Sequence, residues 1–236
     1  MVERIAEASP RPMGRITGVV YLLYFLTAML AVFLGKGLVV SGDAAATATN
    51  LLAHEGLYQS SVSVGLIGTA LYITLTVLFY GLFRPVNKTV ALLATFFSLT
   101  GCAIQAMGSV FQVAPLVVLG GSPYLSVLRL DQLQAMALLF IKLNVQATYI
   151  YLAFFGMFNL SIGYLIFKST FLPRILGVLM ALSGVGWLMF LSPPTANHLL
   201  PYIEVVGIVA EAALMIWLLA KGVNVERWKE QASAAQ

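Results

Sequence analysis

Between Ile16 and Leu34 the chain runs nineteen residues without a charge. A run of that length matches the roughly 20 apolar residues that an α-helix needs to cross a bilayer. The pattern recurs, and six spans are expected, at about 15–35, 59–82, 90–117, 143–167, 174–191 and 201–220. No water-soluble fold makes use of six such runs. The expected fold class is therefore all-α, a polytopic integral membrane protein built as a six-helix transmembrane bundle. Residues 1–222 are read as one transmembrane domain, and 223–236 as a short, polar, frayed cytoplasmic tail.

Composition agrees. Only 9% of residues are charged, 60% are hydrophobic, and the mean hydropathy is +0.93. A soluble domain carries about 25% charged residues, so this chain could not cover a water-facing surface. Its net charge of +4 does not point to nucleic acid. The basic residues stand at the ends of apolar runs, where they meet lipid headgroups. Membrane lipids are the expected partners, with a second copy of the chain or another membrane subunit as further ones. The first run is longer than the 7–15 residues of a signal-peptide core, and it is read as a retained span.

The connectors alternate in charge. Arg4, Arg11, Arg15, Arg84, Lys88, Lys168, Arg174, Lys221, Arg227 and Lys229 fall on one side, and Lys36, Arg129 and Lys142 on the other. By the positive-inside rule both termini are cytoplasmic, in a cytoplasmic (inner) membrane. On the outer side, Asp43 is a good N-cap for an alanine-rich surface helix over about 43–55, and the proline-rich connector 192–202 reads as rigid. In the inner turn at 168–174, Lys168 complements the end of the fourth helix. Ser169 or Thr170 is expected to cap the fifth, with Pro173 in its first turn. Arg174, disfavoured by the helix dipole, is expected to pair with headgroups.

The segment GYLIFKSTFLPRILGVLMALSGVGWL (163–188) resembles one typical of a bacterial membrane family of unknown function, DUF4386. GDAAATATNLLAHEGLYQSS (42–61) and LFRPVNKTVALLATFFSLTG (82–101) are similar to it as well. The resemblance implies a compact six-helix membrane protein. It implies no activity, and it brings no catalytic residue with it.

Polar groups inside spans are costly and mark function by default. The sixth span carries Glu204 and Glu211, seven residues apart, hence within about 20° on one face and about 10 Å apart in depth. Gly207 shares that face. The third span has Gly101, Gln105, Gly108 and Gln112 in one stripe, and the fourth has Gly156, Asn159 and Gly163. Small residues let helices approach, and amides tie them together. Packing is thus the plain reading of Gln105, Gln112 and Asn159, and of the stripes Ser61–Gly65–Gly68 and Gly177–Ala181–Gly184. Glu211 asks for more, because a charge at mid-membrane costs about 2.5–3.5 kcal/mol on insertion scales. It needs a partner, water or a proton. The helix 3 glutamines are its expected partners, and Lys142 lies at the level of Glu204. The candidate ligand-binding residues are Glu211, Glu204, Gln105, Gln112, Asn159 and Lys142.

Other chemistries find little support. His54, His198, Asp43 and Glu55 lack metal-site spacing. GKG at 35–37 is not a phosphate loop, and no GxSxG elbow occurs. Cys102 stands alone in an apolar run and reads as a small hydrophobe. No catalytic residue, metal or cofactor is expected. The leading function is non-enzymatic: binding or translocating a small or amphipathic molecule in a pocket between helices 3, 4 and 6, with two three-helix halves compatible with inverted repeats. The alternatives are an intramembrane enzyme using Glu211 as acid or base, and a structural or regulatory membrane subunit.

Overall fold

The computed structural model describes residues 10–234; Arg4 and Gln236 lie outside the described residues. The order is α1 (Pro10–Gly35), α2 (Ala44–Ala53), α3 (Glu55–Phe83), α4 (Lys88–Leu119), α5 (Leu130–Lys168), α6 (Arg174–Leu188), α7 (Pro193–Ala220) and α8 (Val225–Ala234), with short 3₁₀ turns at Pro123–Leu125 and Met189–Leu191. No strand occurs among the described residues. Six helices are long and apolar enough to cross a membrane: α1, α3, α4, α5, α6 with its 3₁₀ extension, and α7. The outward faces carry large apolar side chains such as Phe33 (73% exposed) and Met29 (62%). In water such faces would be a liability; against lipid tails they are the ordinary solvent contact. The chain is a multi-pass membrane protein.

Three expectations change. The connector 192–202 is helical, and α7 starts at Pro193 with Ser192 as its N-cap residue. Proline is at ease in a first helical turn, where its missing N–H has no partner to lose, so the Pro193–Pro194 pair starts the helix. In the segment after 223, Val225–Ala234 is also helical, and Asn224 Oδ1 accepts from the Arg227 amide at its start, 3.1 Å away. Finally, neither Ser169 nor Thr170 caps α6, whose N-cap is Pro173, with no side-chain bond. Ser169 Oγ instead donates to Ile166 O (2.8 Å), finishing α5. Thr170 is held by α8: Gln231 Oε1 accepts from its amide (3.1 Å) and its hydroxyl (3.2 Å). Arg174 lies over the Phe167 ring, 5.7 Å from its centroid.

The chain packs as two compact units. One comprises 24–70 and 103–148. Its core is Leu38, Leu51 and Tyr58, with Leu116, Leu119 and Ile141 against them. Asp43 caps α2 as expected, accepting from the Ala46 amide at 2.9 Å. Asn144 Nδ2 donates to Gly108 O (2.8 Å), tying α5 to α4. The other unit comprises residues up to Leu23, 71–102 and 149–236. Here an aromatic series runs from Tyr21 through Phe79 and Phe83 to Phe171, each step about 6 Å. Thr76 and Ser98 share a hydroxyl hydrogen bond of 2.6 Å between α3 and α4.

Candidate functional site

The second of these units holds Glu211, and glycines bring its neighbours close. On α5, Gly156 and Gly163 stand one residue-heptad apart; on α6, Gly177 and Gly184 do the same. A Cβ added to Gly163 would meet the Gly177 carbonyl at 2.7 Å, and one on Gly184 would meet the Gly156 carbonyl at 2.8 Å. No side chain fits between the two backbones, which is why this contact takes glycine from both helices.

Asn159 lies between the two α5 glycines and is 1% exposed. Its Nδ2 donates to Ser183 Oγ on α6 and to Glu211 Oε1 on α7, both at 3.2 Å. Tyr21 from α1 and Trp187 from α6 also present their polar groups to this carboxyl. The position of Tyr21 follows from the docking of α1: a Cβ on Gly18 would sit 2.7 Å from the Leu219 amide nitrogen near the end of α7. The position of Trp187 follows from Gly207, one turn before Glu211. A Cβ there would lie 2.6 Å from Trp187 Cζ2, so the indole rests on the bare backbone of α7. Phe190 stacks on the other side, its ring centroid 6.0 Å from that of the indole. Four helices thus converge on one carboxyl group.

One polar atom in the cluster is left over. Asn159 Oδ1 is buried and has no hydrogen-bond partner. Turning the amide over exchanges oxygen for nitrogen but still leaves one atom unpartnered. Buried polar atoms in folded proteins are nearly always paired, so this unpaired one stands out beside an acid.

The other candidate residues are elsewhere. Gln105 and Gln112 belong to the unit formed by 24–70 and 103–148, each half-buried. Lys142 is in that unit too and is exposed; Glu204 is exposed on α7. Neither Lys142 nor Glu204 joins an ion pair, and the pair seen among the described residues is Arg129–Asp131 at 2.9 Å on the surface, a type worth little. The amide on Glu211 is that of Asn159. Sequence reasoning passed over Ser183, Tyr21 and Trp187 as lining of the acid. Ser183 sits next to Gly184 in a stripe that signals close packing, and that neighbourhood was the available hint.

No curated protein and no solved structure matches the chain. The family model of the domain of unknown function DUF4386 matches residues 16–222, which takes in the six long apolar helices but for the start of α1. The chain belongs to the DUF4386 family.

Proposed function

We propose that the protein is a non-enzymatic membrane protein that binds or translocates a small or amphipathic molecule at the Glu211–Asn159 cluster. The observation that carries this reading is the unpartnered amide atom of Asn159 beside the only acid of the cluster. A ligand bearing hydrogen-bond donors, such as an amine or a hydroxyl, would occupy both acceptors. The aromatic walls of Tyr21 and Trp187 suit its apolar part. The proposed site draws on α1, α5, α6 and α7 in place of the third, fourth and sixth spans. We assign it to the cytoplasmic membrane with both termini inside, supported by the ten basic residues on one set of connectors against three on the other.

The test is thermal unfolding of the purified chain with a panel of amphipathic primary amines and their N-acetyl derivatives. A ligand at 100 times its Kd stabilises by about 2.7 kcal/mol. An amine that stabilises the wild type and leaves Glu211→Gln unmoved supports the site. An equal shift in Glu211→Gln refutes it. A reporter fused after Gln236 should read as cytoplasmic.

A further inference from the structure

At the end of α7 the surface carries a second feature, an open groove of about 410 Å³. Its walls are fixed by the backbone. The Lys221 and Gly222 amides both donate to Trp217 O (2.8 and 3.1 Å), ending the helix. Gly222 takes φ +67°, a turn that other residues resist. The Asn224 amide donates to Phe171 O at 3.3 Å, fastening the segment to the turn between α5 and α6. The groove is therefore bounded by two pieces of chain, the turn between α5 and α6 and the stretch from Trp217 to Glu226, and it lies just past the last apolar residue of a membrane-spanning helix. That is the level of lipid headgroups.

Its lining combines two charges with two aromatic rings: Lys221, Glu226, Trp217 and Phe171. Lys221 and Glu226 line the same groove yet form no ion pair with each other. Each is exposed, so neither charge was forced there by burial. Phe171 is buried at 4% exposure and gives the groove a firm apolar floor. Opposite charges that line one groove without pairing match a ligand that carries both signs. A cation would seat against Glu226 with an aromatic face beside it, and a phosphate against the Lys221 ammonium. The volume falls within the range of small-molecule sites, about 300–1,000 Å³.

We propose that this groove binds a zwitterionic phosphate ester, a phosphate diester or monoester carrying an ammonium group, as in the headgroup of phosphatidylethanolamine. The phosphate sits on Lys221 and the ammonium on Glu226. The site is separate from the Glu211 cluster and does not rest on it.

The test uses the full chain, delipidated in detergent and followed by native mass spectrometry. Phosphatidylethanolamine, phosphatidylglycerol and soluble phosphoethanolamine are titrated separately. The wild type should favour phosphatidylethanolamine over phosphatidylglycerol. Glu226→Gln should weaken the zwitterionic lipid about tenfold and leave phosphatidylglycerol unchanged, while Lys221→Gln should weaken both by a similar factor, as loss of one charge-assisted contact implies. The effects of Glu226→Gln and Lys221→Gln should persist in a Glu211→Gln background, which separates this site from the Glu211 cluster. Binding of the lipid or of soluble phosphoethanolamine supports the site, and the arm that binds names the source. Equal affinity for the two lipids in the wild type overturns the proposal. So does binding that survives both substitutions, or binding of neither zwitterionic probe.

Discussion

Gly163 and Gly177 face each other with nothing between them: a Cβ built on either glycine would come within 2.7 Å of the other's carbonyl oxygen. Gly163→Ala must push α5 off α6, which overpacking data place at about 1–3 kcal/mol of lost stability. Gly65→Ala is the control, because a Cβ there meets nothing within 4 Å; alanine is also the better helix former, by about 1 kcal/mol. Thermal unfolding in detergent should separate the two variants clearly. Equal midpoints would contradict the backbone contact.

Asn159 and Ser183 should differ in what their loss costs. Ser183→Ala removes one acceptor from Asn159, and a single hydrogen bond is worth about 0.5–1.5 kcal/mol. Asn159→Ala takes the 3.2 Å amide donor from Glu211 as well. Leaving a buried group under-satisfied costs about 1–3 kcal/mol, so Asn159→Ala should unfold at the lower temperature. If Ser183→Ala is the more damaging, the amide's contact with Glu211 contributes little.

The C-terminal helix should act as a fastening. Trp228 Nε1 donates to Leu82 O at 2.9 Å, and Arg227 Nη1 to Thr170 O at 3.3 Å. Trp228→Phe keeps a ring and loses the donor, so a cost of about 1 kcal/mol is expected. Hydrogen exchange should rise around 169–173 in Gln231→Ala, where the Thr170 amide loses its acceptor. Unchanged exchange there would detach α8 from the turn.

Cys102 is the chain's single cysteine, and it is 1% exposed. A thiol packed that tightly has no path to a reagent. A membrane-permeant maleimide should leave the folded protein unlabelled in detergent and label it stoichiometrically after unfolding. Rapid labelling of the folded chain would show that its surroundings open.

The spans were legible because apolar length is a local property, written residue by residue. Glu211 was legible for the same reason, as an acid among valines and alanines. Its neighbours were not. Asn159 read as glue, and nothing in the sequence ties Tyr21 or Trp187 to the acid. What makes them a cluster is the crossing of four helices, and no spacing within one helix encodes that. The missed start of α7 has a different cause: two prolines signal a break inside a helix but a beginning at its first turn. The tail misled by its charge, since polar bonds hold α8: Trp228 Nε1 donates to Leu82 O, Arg227 to Thr170 O, and Gln231 accepts from the Thr170 amide.

The docking of Gly18 against Leu219 also sets a timetable. Of the six long apolar helices α1 leaves the ribosome first, and the helix that covers its glycine face leaves after the other four. At synthesis rates of about 5–20 residues per second, the interval between them is roughly 10–40 s. Through that time the Gly14–Gly18 face must rest on lipid or on another protein. A chain stopped before α7 carries the same uncovered face permanently, and with it a means for quality control to recognise an unfinished molecule.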